Sequence, residues 1–173
     1  MLELIPRSPQ VVSTDGGSQS SSHGVDCLLT SDTSSYITAR DGIVNVLFEH
    51  KEGKIIFPTE FVCAAPRDYY HVDKLRHALV FVLNSREEAK ETSVYDDWDW
   101  VRYQAYLDTK LTNNGELKGT DPIAWVDTTN RISTCVTRPD IVGRGGKYVL
   151  VKMLSHVEGR SIEVTHFAVM GYE

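Results

Sequence analysis

Apolar residues in this chain come in strand-length runs broken by polar turns, and that pattern limits the fold more than anything else. The runs are "IVNVLF" (43–48), "IIFPTEFVCAA" (55–65), "ALVFVLNS" (78–85), "IAWVDT" (123–128), "RISTCVT" (131–137), "KYVLVKMLS" (147–155) and "SIEVTHFAVMGY" (161–172). β-Branched and aromatic residues dominate them, as expected of strands. In 147–155, Tyr148, Leu150 and Lys152 fall on one face and Val149, Val151 and Met153 on the other. In 161–172, Ile162, Val164 and His166 alternate with Glu163, Thr165 and Phe167. The short "HVEGR" between these two runs predicts an antiparallel hairpin, and Pro58 predicts an edge or bulge position for its strand. Helices do not alternate with the strands, so a parallel βαβ sheet is excluded and a mainly β fold, an antiparallel β-sandwich, is expected.

Residues 86–122 break the pattern. "DDWDWVRYQAYLDTKL" predicts one inserted helix around 97–109, capped by Asp96 or Asp97 with acidic residues in its first turn. Trp98, Val101 and Ala105 recur at helical spacing, and Tyr103, Tyr106 and Leu107 widen that face. Nearer the start, the Ser- and Gly-rich 13–24 predicts a loop, and "VDCLL" a short turn or helical piece. The expectation is one domain over 1–173 with an insertion at about 86–122.

Composition narrows the function classes. With 173 residues the chain can bury a full core without staples, and a net charge of −6 disfavours a generic binder of phosphate backbones, so no nucleic-acid partner is expected. Cys27, Cys63 and Cys135 form no CxxC pair, which points to buried thiols and to a reducing, intracellular setting, cytoplasmic or nuclear. No apolar stretch approaches the roughly 18 residues of a membrane span. "MLELIPRSPQ" carries no visible signal peptide, and the ending at Gly171, Tyr172 and Glu173 is compatible with a domain cut from a longer chain.

The order of "SSSHGVDCLL", "SDTSSY", "TARDG" and "IVNVLFEHKEGK", followed near the end by "GGKYVLVKML" and "IEVTHFAVMGY", resembles the galactose-binding-like (discoidin, F5/8 type C) jelly-roll superfamily. Within it the chain looks most like the intracellular branch that includes the DOC domain of large ubiquitin ligases. The resemblance covers about the first 65 and last 30 residues. Tyr36 stands where that branch often has Trp. It implies a non-catalytic module whose ligand site is built from loops at one end of the sandwich, here a protein or peptide site within a ubiquitin-ligase-type assembly. A carbohydrate-binding module is the alternative, and a hydrolase on a jelly-roll scaffold a second one.

The loops 15–24, 36–42, 66–77 and 138–146 are expected to gather at that end. The candidate ligand-binding residues are Tyr36, Arg40, Arg67, Tyr70, His71, Arg138 and Arg144, because arginine forks beside aromatics suit carboxylate or peptide recognition. Asp32 is expected to satisfy turn amides. Trp98 and Trp100 form a candidate partner surface. "RPDIVGRGG" lacks the Lys-Ser or Lys-Thr ending of a phosphate loop, "YDDWDW" lacks the glycine and terminal Glu of a calcium loop, and the six histidines form no ligand set. Neither GxSxG nor any visible nucleophile–base pair occurs. No metal, no cofactor and no catalytic residue is therefore expected.

Overall fold

A computed structural model of the chain describes residues 3–4, 9–30, 34–66, 75–112, 117–129, 132–136, 144–154 and 161–172. Two antiparallel sheets face each other. The larger has the order β2-β4-β9-β6-β7, built from β2 (Pro9–Thr14), β4 (Val44–His50), β9 (Tyr148–Leu154), β6 (His77–Leu83) and β7 (Ala124–Asp127). The smaller has the order β1-β11-β5-β8, from β1 (Glu3–Leu4), β11 (His166–Tyr172), β5 (Phe57–Ala64) and β8 (Ile132–Val136). A two-residue ribbon pairs β3 (Tyr36–Ile37) with β10 (Glu163–Val164). The architecture is the mainly β, antiparallel sandwich that the strand-length runs predict.

The inner faces close one core. Val44, Val46 and Phe48 of β4, with Val80, Val82, Val149 and Val151, meet Phe61, Cys63, Phe167 and Val169 from the opposite sheet. Phe167 stacks on Phe48 at 5.3 Å and lies 6.2 Å from Phe61. Cys63 is buried there, and Cys27 is half-buried with its thiol 3.7 Å from the Ser22 carbonyl.

Two local expectations are corrected. The closing runs do not form a hairpin: β9 lies between β4 and β6 in one sheet, whereas β11 pairs with β1 and β5 in the other. The alternation of the last run also shifts by one at Thr165. Ile162 and Val164 are buried, then Phe167 and Val169, so the run splits into β10 and β11 and His166 leaves the inward series. Pro58 is not on an edge, because β5 is flanked by β11 and β8. It takes the other expected position, a bulge: it lies beside a register shift at Met170/Gly171, where its missing N–H is tolerated. A Cβ at Gly171 would lie 2.2 Å from the Phe57 carbonyl, so the close approach there requires glycine.

The insertion folds as a helical pair across the outer face of the larger sheet. It comprises α1 (Glu88–Glu91), a 3₁₀ turn over Thr92–Tyr95, and α2 (Trp100–Thr112). Asp99, not Asp96 or Asp97, caps α2, accepting the Arg102 amide at 2.8 Å. Tyr103 and Leu107, one turn apart, pack with Leu79, Phe81, Leu83, Trp125 and Leu150 in a second core. Val101 and Ala105 point outward, so the buried face of the helix is rotated from the one their spacing suggests.

Strand directions sort the loops. The segments after β2, after β5, after β7 and after β9 leave from one end of the sandwich. The segments after β4, β6 and β8 leave from the other.

Candidate functional site

The first of these ends is the loop end. Its described part is built on the turn after β2. Asp15 accepts the Asn45 backbone amide at 2.7 Å and the Asn45 side-chain amide at 2.9 Å, locking that turn to β4. Arg40 reaches the same carboxylate at 3.1 Å and donates to the Ile43 carbonyl at 2.9 Å. The two side chains are 50% and 43% exposed, so they present a guanidinium and a carboxylate side by side to solvent. Gly42, at φ 82°, supplies the left-handed residue that turns the chain into β4.

Tyr36 is placed differently from the expectation. It is fully buried, and its hydroxyl meets Thr14 Oγ1 at 2.9 Å and donates to the Gly17 carbonyl at 2.8 Å. Burial, the largest influence, raises its pKa; the Thr14 bond acts the other way. Tyr36 is thus an internal tie holding the loop, not a ligand-facing ring. A Cβ on Gly16 would lie 2.8 Å from that hydroxyl and 2.6 Å from Val44, which fits the ring's tight seat.

Arg144 lies at the opposite end, before β9, where Gly146 bridges to Ile56. Its Nη2 donates to the Gly119 carbonyl, and burial pushes its pKa down while Asp121 and Glu88 act against that. Arg40 and Arg144 therefore do not converge, and the 138–146 connection starts from the end away from Arg40 because β8 runs toward that end. Arg67, Tyr70, His71 and Arg138 lie outside the described residues, as does Asp32.

Trp98 is packed, edge-on to Tyr95 at 4.6 Å and against Tyr106 at 5.1 Å. Trp100 is 49% exposed and leans on Trp125 at 5.8 Å. Of the pair named as a partner surface, Trp100 is the one that faces outward.

Two polar features have no counterpart among the residues picked from the sequence. Asp121 is buried and accepts from the Tyr95 hydroxyl at 2.7 Å and the Lys118 amide at 2.6 Å, with Lys110 Nζ at 3.8 Å. Burial alone would raise its pKa, but the hydrogen bonds from Tyr106, Tyr95 and Lys118 and the charge of Lys110 hold it below the usual carboxylate value. Lys152 is 1% exposed on the outer face of β9, and its ammonium meets the Asp96 carboxylate. A lysine on the Tyr148–Leu150 face of an apolar strand was the visible signal for this second feature. Among the described residues no group of three or more His, Cys, Asp or Glu could hold a metal ion.

No family model matches the sequence, and no curated protein matches it. Solved structures do resemble it in three dimensions. The family 32 carbohydrate-binding module of Clostridium perfringens NanJ, solved with galactose, aligns over 98% of this chain and 99% of its own, with a TM-score of 0.61 at 9% identity. The family 32 module of Streptococcus pneumoniae EndoD aligns over 99% of both chains, with a TM-score of 0.59 at 9% identity. The C-terminal domain of a chitobiase from Bacteroides fragilis aligns over 98% and 97%, with a TM-score of 0.61 at 10% identity.

The fold is the β-sandwich of these structures.

These neighbours correct the functional expectation. A protein or peptide partner within a ubiquitin-ligase-type assembly is set aside, because two structures that share this fold over its whole length are described as carbohydrate-binding modules. Two of the three are, by their own description, binding modules. The hydrolase alternative gains nothing from them.

Proposed function

We propose that this protein is a non-catalytic carbohydrate-binding module. The observation that carries the reading is the likeness, over essentially the full length of both chains, to modules of that kind. The loop end supplies compatible chemistry. A sugar hydroxyl both donates and accepts, and Arg40 beside Asp15 offers a donor and an acceptor close together, both accessible.

The test is titration against an array of neutral saccharides that includes galactose, followed by calorimetry on the best binder. An exposed ion pair contributes at most about 1 kcal/mol to stability, so Arg40→Ala leaves the fold intact. Loss of a charge-assisted hydrogen bond to ligand weakens binding about tenfold or more. Lys54→Ala, in the exposed turn at the other end, leaves affinity unchanged. If the array shows no binding, the reading fails.

A further inference from the structure

We infer that the ligand site continues from the loop end into a groove on the outer face of the larger sheet, and that the ligand is a neutral oligosaccharide of several units. This rests on the carbohydrate-binding reading above and deepens it.

The groove has a volume of about 550 Å³, within the range of small-molecule sites. One wall is the edge strand β2 at Ser13 and Thr14, and the other is the insertion at Ala89, Lys90 and Ser93. Leu47 and Leu150 give an apolar floor. Asp15, which also holds Arg40, lines one part of it, and Arg86 lines another. On β4 the lining is Asn45 and Leu47, and Arg86, which also reaches Glu49 at 3.5 Å, carries the line on toward Glu49; Asn45 to Glu49 spans roughly 13 Å at the usual strand rise. That is the reach of a short chain of sugar rings, not of one ring.

The chemistry of the walls selects the ligand. Three cations along the way have carboxylate partners, Arg40 with Asp15, Lys152 with Asp96 and Arg86 with Glu49, and Lys90 stands exposed on the insertion wall. An anionic ligand would meet Asp15 and Asp96, and a cationic one would meet Lys90 and Arg86. A neutral polyol meets neither penalty. Its hydroxyls can donate to the half-exposed carboxylates and accept from the ammonium and guanidinium groups, while the C–H faces of its rings lie over Leu47 and Leu150. The buried Oδ1 of Asn45, which no group among the described residues meets, adds one more acceptor lining the groove.

The experiment compares chain lengths. The strongest array binder is titrated as an oligosaccharide and as its terminal monosaccharide, against the wild type, Ser13→Trp and Lys90→Trp. The two variants fill the groove from opposite walls at exposed positions, so a folding defect in one does not remove the test. The expected result is at least tenfold tighter binding of the oligosaccharide by the wild type. Both variants abolish that advantage but leave monosaccharide affinity within about twofold, whereas Arg40→Ala weakens both ligands. Equal affinity for the two ligands, or an oligosaccharide advantage that survives both groove-filling variants, overturns the groove and leaves the carbohydrate reading standing. Absence of any saccharide binding by the wild type overturns both.

Discussion

The Lys152–Asp96 pair allows a sharp test of how the insertion is fastened to the sandwich. Lys152 is 1% exposed and sits between Leu150 and Leu154 on a face otherwise made of apolar side chains. Asp96, from the insertion, is its partner, and the Asp96 side chain is 42% exposed. Removing one member of a buried ion pair costs about 3–5 kcal/mol, because the other charge is stranded. Here solvent reaches the Asp96 side, and Asn45, opposite Lys152 in the strand register, has an unmet oxygen that can accept from the ammonium. Both lower the figure for Asp96→Ala to about 2 kcal/mol, or roughly 4–8 °C in Tm for a chain of this size. Lys152→Met keeps the volume and removes the charge, so it is near neutral, and the double variant Lys152→Met/Asp96→Ala resembles Lys152→Met alone. Urea unfolding at pH 7 measures all three. If Asp96→Ala costs under about 0.5 kcal/mol, or Lys152→Met costs as much as Asp96→Ala, the charge is not held in the way described.

Three further outcomes follow from individual contacts. Tyr36→Phe removes the hydroxyl shared with Thr14 and Gly17 and should cost about 1–3 kcal/mol in urea unfolding, with no loss of saccharide affinity beyond that of the folded fraction, because the ring faces the core. Gly171→Ala forces a Cβ to 2.2 Å from the Phe57 carbonyl, and thermal unfolding should show destabilisation of about 1–3 kcal/mol. Asp121 has a folded pKa below its unfolded value of 3.8, so the stability it contributes is complete above that value and drains away as pH falls through the folded one. Guanidinium unfolding from pH 7 to pH 2 should therefore fall less steeply with acid in Asp121→Asn than in the wild type.

The sandwich was legible because its strands carry their burial in their composition: "ALVFVL" is buried at every position, and the period of two in 147–155 sorts the two faces correctly. What misled were features set by distant partners. The closing runs look like a hairpin only because a short turn separates them; which sheet each joins is decided by β4 and β5, far back in the chain. Tyr36 looks like a loop aromatic because polar residues surround it, yet its place is fixed by Thr14 and Gly17, which local composition does not reveal. Arg40 and Arg144 share a residue type but leave the sandwich at opposite ends, and only strand direction separates them.

The insertion changes what the sandwich can bind. An antiparallel sheet commonly keeps one face in water and alternates apolar with polar residues. β6 does not: Leu79, Phe81 and Leu83 crowd its outer face, joined by Trp125 and Leu150. Left in water, those side chains would forfeit on the order of 10 kcal/mol. The helical pair covers them, so it is part of the core and not an ornament, and deleting 86–122 should yield an aggregating chain and not a trimmed module. Coverage is uneven, however. Tyr103 and Leu107 of α2 pack on this second core, whereas α1 is one short turn whose Ala89 faces the groove, as does Lys90 beside it. Ser13 and Thr14 of the edge strand β2 form the facing wall, and the strip of β4 between them is roofed by neither. The groove is therefore a direct consequence of a cover shorter than the face it protects, and it opens beside the exposed Asp15–Arg40 pair.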